Sequence, residues 1–402
     1  MRSSTTRKSS REPVPMRLLM VTHFFESHRG GIEIVAGKLA RELMRRGHSV
    51  TWAAADVDTP PGPEVAAAVP LRTFNLIERL SGLPMPIPSP GALRRLARAV
   101  TESEVVIVHD ALYATSIAAL LIAKLKGRPV VITQHIGRIP FSSRFLATLM
   151  QIADRVATRP MLAAAEQVVF ISETIAGQYR QVRFRRPPIL AFNGVDTDRF
   201  APAHVDERAA ARARFGFSPD EPVLLFVGRF VEKKGLAVLR EIALARPDLG
   251  FALAGWGPID PCTWALPNVR VFGGLAGEDL AALYRAADAL MLPSVGEGFP
   301  LVVQEALASD LPILCGSETA TAHAAAASLL ASESVDLGDP GGTAARFVAK
   351  LDPLLSEPRD GRRSRFARNH YSWDSTGGTY DRIVRALSRV TGLGRESSIG
   401  TA

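Results

Sequence analysis

The chain has 402 residues, 47% of them hydrophobic and 22% charged, with a formal net charge of +8. That length exceeds one ordinary hydrophobic core, so two domains are expected, and the composition excludes fibrous and disordered classes. No apolar run reaches the roughly 18 residues of a membrane-spanning helix, since the longest, 111–123, contains Thr115 and Ser116.

Residues 1–15 are polar and basic, without the apolar segment of a secretory signal, and are expected to be a disordered tail. Cys262 and Cys315 make no disulfide framework and point to a reducing, cytoplasmic setting. Residues 1–200 hold 27 Lys and Arg against 16 Asp and Glu; the rest holds 21 against 24. A basic first half suits anionic lipid, nucleic acid or a phosphate-bearing substrate, and equally a plain solvated surface.

In chain order, 16–24 reads as a buried first strand. Apolar residues at Ile32, Val35, Leu39 and Leu43 predict a helix over 32–46, with Gly47 as its C-terminal stop. Residues 48–55 form the next strand. The pair Gly30-Gly31 opens the helix without a G-x-G-x-x-G pattern, so a dinucleotide site is not supported, yet two glycines let a backbone approach an anion. Residues 57–92 are proline-rich and irregular. A short basic helix over 93–100 carries Arg94, Arg95 and Arg98, and buried strands at 104–108 and 129–133 each end in a histidine, His109 and His135. A helix over 145–164, with Arg144, Arg155 and Arg159 among its apolar residues, packs on a sheet or lies on a membrane surface. The first domain ends near residue 198, after Asn193-Gly194-Val195-Asp196.

Residues 222–227 open a second α/β series. This strand runs into Gly228-Arg229 and then Lys233-Lys234-Gly235, cations suited to a diphosphate. The P-loop pattern is absent. Strands follow at 250–254, closed by Gly255-Trp256-Gly257-Pro258, and at 269–272; a helix at 276–287 leads to a strand at 288–292. There Pro293-Ser294-Val295-Gly296-Glu297-Gly298-Phe299-Pro300 enters a helix that carries Glu305. Two carboxylates thus stand eight residues apart at the mouth of a strand–loop–helix unit, where open α/β sheets bind ligands. A strand at 311–315 and helices over 341–355 and 363–387 complete the chain, the last anchored by Trp373 and Tyr380, with a flexible tail from 391.

Taken together, these motifs over about 16–390 resemble the retaining glycosyltransferases of family 4. The resemblance rests on the Gly-Arg…Lys-Gly loop at 228–235, the glycine loop 255–258, Phe272-Gly273, the helix ending Tyr284-Arg285-Ala286-Ala287-Asp288, and Glu297 and Glu305 in the E-x7-E signature. It implies an α/β fold of GT-B architecture, two Rossmann-like doubly wound parallel-sheet domains facing across a cleft. The implied domains are 16–198 for the acceptor and 199–365 for the nucleotide sugar, with 366–390 packing back toward the first.

The resemblance also implies roles. Arg229 and Lys234 would bind the donor diphosphate. Glu305 would hold the ribose. Glu297 and the backbone of Gly298, Phe299 and Pro300 would hold the transferred sugar. Gly30 and Gly31 would face the phosphate or acceptor, and His109 would stand near the reacting sugar. Leu275 and Gly255 would lie along the nucleotide. His135 is a candidate acceptor or sugar contact. Trp256 departs from the small or acidic residue of many relatives.

The expected reaction moves a sugar from a nucleoside-diphosphate-sugar to a saccharide, lipid-linked or small-molecule acceptor with retention. No metal and no nucleic acid are expected: the triplets Asp56-Val57-Asp58 and Asp196-Thr197-Asp198 lie away from the phosphate motif. The basic stripe permits peripheral contact with an anionic membrane. Two other readings are a phosphorylase or nucleotide-sugar epimerase of the same fold, and a non-catalytic membrane- or nucleic-acid-binding protein. Arg229, Lys234, Glu297 and Glu305 together argue against the last, since a binder has no need of all four.

Overall fold

The structure, a computed structural model, describes residues 14–28, 30–74, 87–137, 144–297 and 299–391. The expected tails and Gly298 therefore fall largely or wholly outside the described residues. The chain forms two compact units, Met1–Ile132 with Tyr380–Ala402, and Thr133–Thr379.

The first unit alternates strand and helix: β1 (Arg17–Val21), α1 (Gly31–Arg45), β2 (Ser49–Ala55), β3 (Ala67–Leu71), β4 (Thr73–Phe74), β5 (Ile87–Pro88), α2 (Pro90–Glu102), β6 (Val105–His109), α3 (Ala114–Leu125) and β7 (Val130–Gln134). β1 is buried from Leu18 to Val21, the continuous apolar run of a parallel strand covered on both faces. It pairs in parallel with β2 on one side and β6 on the other. β3 extends the sheet beyond β2, and β7 lies beyond β6, giving the order β3-β2-β1-β6-β7.

α1 stops where expected. Gly47 takes a φ of +85°, and its N–H returns to Met44 O at 2.8 Å. Strand β3 falls inside the stretch expected to be irregular. Its sequence, Ala-Ala-Val-Pro-Leu, has one β-branched residue and a proline, tolerable because this strand is an edge. The basic helix α2 is also longer than expected, because Ser89 caps it by accepting from Ala92 N at 3.2 Å and Pro90 occupies its first turn. Residues 380–391 complete this unit, with Tyr380, Ile383, Val384 and Leu387 buried and Asp381 bonded to the buried His48 at 2.7 Å.

The second unit contains α4 (Arg144–Ala153), α5 (Arg159–Ala164), β8 (Gln167–Phe170), α6 (Glu173–Gln178), β9 (Ile189–Leu190), α7 (Val205–Arg214), β10 (Val223–Arg229), α8 (Leu236–Ala245), β11 (Gly250–Trp256), β12 (Val269–Phe272), α9 (Gly277–Ala286), β13 (Ala289–Leu292), α10 (Leu301–Ala308), β14 (Ile313–Gly316), α11 (Ser317–Ala320), β15 (Ala331–Glu333), α12 (Pro340–Val348), α13 (Leu351–Leu355), α14 (Arg362–Tyr371) and α15 (Trp373–Thr391), the last running on into the first unit. Its six-stranded parallel sheet has the order β12-β11-β10-β13-β14-β15. From β10 the chain proceeds outward one way, and from β13 the other. The strand order therefore reverses between β10 and β13, and a crevice opens outside their C-terminal ends. The buried residues of β10, β11, β13 and β14 form the core beneath that crevice.

Two expected single helices are interrupted. The stretch 145–164 contains a π-helical turn, Asp154–Thr158, between α4 and α5. The terminal helical stretch breaks at Ser372, whose ψ is 148°. Here Val195 N donates to Tyr371 O at 2.6 Å, and Gly194 lies so close to the Trp373 ring that a Cβ would sit 2.3 Å from it.

Candidate active site

Three loops converge at the reversal point. Strand β10 ends in Gly228-Arg229, and a short 3-10 turn, Glu232–Lys234, then leads through Gly235 into α8. Beyond β13, residues 293–297 turn toward Phe299 and Pro300, and Pro300 caps α10. The first two loops are stitched by the Val295 N–H donating to Lys233 O at 3.0 Å. At their junction Gly235 has a φ of +72°, and a Cβ there would stand 2.1 Å from Pro293 O. Only glycine meets both demands. The third loop follows β11. Gly255 lies beside Gly228 in register, and a Cβ on it would meet Gly228 O at 1.9 Å. The Phe230 N–H donates to Trp256 O at 2.7 Å.

This backbone frame brings charges together. Lys234 Nζ stands 3.1 Å from Glu297 Oε2, and Lys233 Nζ stands 3.2 Å from Glu297 Oε1. One carboxylate is thus bracketed by two ammonium groups. The Lys234 stem passes 3.8 Å from the Cβ position of Gly228. The Arg229 guanidinium lies over the Trp256 indole, 5.0 Å from its centroid, and that indole is 67% exposed. Such a stack holds an arginine fork in place while leaving its edges open.

Glu305 occupies a different environment. It projects from α10 and accepts from the buried Tyr284 hydroxyl at 2.8 Å. Burial pushes its carboxyl up to about 7, against the opposing pull of the Tyr284 hydrogen bond. The Tyr284 phenol is pushed up as well, first by burial and then by the neighbouring carboxylate. Behind the glycine loop, Phe299 packs edge-on against Phe192 at 5.5 Å and near Tyr371 at 5.3 Å. His323, whose imidazole is pushed below its ordinary range chiefly by burial, bonds through Nδ1 with the Tyr371 hydroxyl.

The fold thus places Arg229, Lys234, Gly255, Glu297, Phe299 and Pro300 on converging loops of one unit, with Glu305 on α10, the helix that the loop after β13 enters. Leu275 follows β12 and packs on the core of the same sheet. In the first unit, Gly30 caps α1, and the Glu33 carboxylate folds back to within 2.0 Å of where a Gly30 Cβ would lie, while Gly31 has open space above it. His109 ends β6 and is buried. His135 directly follows β7, and burial pushes its imidazole down to about 3. Three contacts lie outside the sequence expectation: the pairing of Lys233 with Glu297, Tyr284 as the partner of Glu305, and Trp256 as the platform for Arg229. The repeated lysine at 233–234 was the signal available for the first. Among the described residues, no three His, Cys, Asp or Glu side chains gather as a metal site; Asp58 pairs with His28 and Asp196 with Arg199.

Two family models match the chain, Glycosyltransferase Family 4 over residues 29–199 and Glycosyl transferases group 1 over residues 221–352. The chain belongs to glycosyltransferase family 4. Sulfoquinovosyl transferase of Arabidopsis thaliana is 28% identical over 49% of this chain, which spans 39% of that relative's length. A longer match, 29% identical over 71% of this chain and 73% of the relative, is to the D-inositol 3-phosphate glycosyltransferase of Saccharomonospora viridis. Among solved structures, Anabaena HepE in complex with UDP superposes with a TM-score of 0.69 at 14% identity, over 92% of this chain and 100% of its own. At that identity the likeness is one of fold, and it is the GT-B fold of this family 4 chain.

Proposed function

We propose that this chain transfers a sugar from a nucleoside-diphosphate-sugar to a hydroxyl of a saccharide, lipid-linked or small-molecule acceptor, with retention of anomeric configuration. One observation carries the reading: Arg229, Lys233, Lys234 and Glu297 gather at the sheet's reversal point, beside the partly buried Glu305–Tyr284 pair. Departure of the nucleotide builds negative charge on phosphate and positive charge on the anomeric carbon. Arg229 and Lys234 are fixed where the first can be neutralised, which is the largest lever such a site has. Three cations at one crevice supply that neutralisation, so the reading needs no resident metal.

Glu297 then accepts hydroxyls of the transferred sugar and Glu305 those of the ribose, with the amides at the α10 start between them. His109 stands on the acceptor side, in the half assigned to residues 16–198, with Gly30 and Gly31. His135 is an acceptor contact in the same proposal. Front-face substitution, with the departing phosphate taking the acceptor proton, fits a site whose two acids serve as hydroxyl acceptors. The UDP held by the HepE structure supports a nucleotide donor.

A thermal-shift screen of UDP, GDP, ADP and their sugars, followed by turnover with the sugar that stabilises, tests the assignment. Bound donor raises the melting temperature by mass action. A Lys234→Ala variant that retained full transfer would overturn it.

We also infer peripheral contact with an anionic membrane at a cytoplasmic face. Helices α2 and α3 form a shallow groove lined by Leu93, Arg94, Ala97, Ala118, Leu121 and Ile122. Leu121 and Leu125 are 57% and 86% exposed, and Arg94 and Arg95 of α2 are exposed too. Among the described residues no helix is long and apolar enough to cross a membrane. Apolar groups ringed by cations suit the surface of such a bilayer.

A further inference from the structure

The carboxylate between Lys233 and Lys234 has a second consequence for the donor. A diphosphate needs cations, and in this structure both ammonium groups are already engaged by Glu297, at 3.2 and 3.1 Å. Lys234 and Glu297 are largely buried, 12% and 14% exposed, while Lys233 reaches outward at 57%. Resting on the donor site proposed above, we propose that Glu297 is the internal counter-ion of the diphosphate subsite, and that the donor displaces it. The incoming phosphates take Lys233 and Lys234. The freed Glu297 carboxylate then turns to the hydroxyls of the transferred sugar.

The local backbone favours exchange by side-chain rotation rather than loop movement. Val295 N–H on Lys233 O and the packing of Gly235 against Pro293 fix the two loops to each other. The Glu318 carboxylate holds the turn from the other side, accepting from Gly296 N at 2.8 Å. The lysines and the carboxylate are carried on these fixed segments, so only the flexible side chains need exchange partners. In this arrangement Lys233 is a donor-binding residue, and its exposed ammonium is the first cation that an arriving phosphate meets. Specificity follows as well. A sugar-free nucleoside diphosphate pays for displacing Glu297 and receives nothing from it, whereas a complete donor recovers the contact through its sugar.

The test compares Glu297→Gln with the wild type. The amide keeps the shape and removes the charge, so affinity for the sugar-free nucleoside diphosphate is expected to rise about tenfold, equivalent to about 1.4 kcal/mol. Transfer is expected to fall at the same time. Lys233→Ala is expected to weaken the nucleoside diphosphate while leaving the free nucleoside unchanged, and in that background Glu297→Gln should tighten binding less. Titration calorimetry with UDP, GDP or ADP, whichever binds, reads all of these, and a melting curve confirms that each variant folds. If the wild type binds the nucleotide and Glu297→Gln binds it equally or more weakly, the counter-ion role is overturned while the transferase reading stands. If no nucleotide or nucleotide-sugar binds the wild type, the transferase reading itself fails. Glu297→Asp gives a second check: its shorter carboxylate should loosen from the lysines and tighten the sugar-free nucleotide less than the amide does.

Discussion

The Tyr284 hydroxyl of α9 donates to Oε2 of Glu305 on α10 at 2.8 Å. Burial pushes this carboxyl up from an ordinary 4.5 to about 7. The folded state therefore holds the proton more tightly than the unfolded one. The stabilisation linked to that proton is complete below about pH 4.5 and is lost as pH rises through 7. Glu305→Gln mimics the protonated acid, so it should match the wild type in stability near pH 4 and exceed it by about 1–3 kcal/mol at pH 8. Chemical denaturation at the two pH values checks this. Nucleotide affinity should run the other way: if ribose hydroxyls donate to the ionised carboxylate, wild-type affinity rises between pH 6 and 8, and Glu305→Gln flattens the profile. Tyr284→Phe removes the hydrogen bond that favours the ionised form, and should move the profile to higher pH.

Gly235 makes a sharper structural prediction. Its φ of +72° and the 2.1 Å approach of its Cβ position to Pro293 O leave no space for a side chain. Gly235→Ala should destabilise the second unit by roughly 2–4 kcal/mol, combining backbone strain with a displaced carbonyl. The same substitution separates the lysine loop from the Glu297 loop, so residual activity should fall further than lost folded protein accounts for. Comparing specific activity with the folded fraction from circular dichroism distinguishes the two.

Trp256 yields the opposite pattern. With the indole 67% exposed, Trp256→Ala should change stability by less than about 0.5 kcal/mol. The stacked guanidinium of Arg229 loses a contact of about 0.5–1 kcal/mol at such a site. Expressed on the transition state, that is roughly a twofold to fivefold fall in kcat/KM for the donor. Phenylalanine should restore part of it, and leucine none. Because the indole sits on the proposed diphosphate cation, its fluorescence should also respond to nucleotide, a signal that Trp256→Phe abolishes.

Much of this was legible in the sequence where chemistry and periodicity coincide. Apolar runs located β1, β2, β6, β10, β11 and β13, and the eight-residue spacing placed Glu297 on a turn and Glu305 on a helix. What escaped depends on contacts distant in sequence. Strand β3 exists because β2 offers it an edge, not because Ala-Ala-Val-Pro-Leu favours extension. Tyr284 reads as an apolar anchor of its helix, and only the fold brings α10 within reach of its hydroxyl, which meets Glu305. The helix break at Ser372 is likewise fixed from afar, by Val195 bonding to Tyr371 O. Trp256 was visible as a departure from relatives, but its stacking on Arg229 follows from the register of β10 with β11.

The groove between α2 and α3 supplies the last prediction. Arg98 already has a partner, Glu102, at 2.8 Å; Arg94 lines the groove and Arg95 is exposed on the same helix, so this pair is the one to neutralise. Each such cation contributes about 1 kcal/mol near an anionic surface. Arg94→Gln with Arg95→Gln should thus weaken binding to phosphatidylglycerol vesicles about thirtyfold, a loss of about 2 kcal/mol. Leu121→Asp with Leu125→Asp removes the apolar insertion and adds repulsion, so it should reduce binding to anionic vesicles at least as far. Neither pair belongs to the donor loops, and both should leave nucleotide affinity unchanged. Co-sedimentation at two salt concentrations separates the contributions, because the arginine share shrinks with screening and the leucine share does not. Undiminished sedimentation of both variants would show that this groove is not the lipid-facing surface.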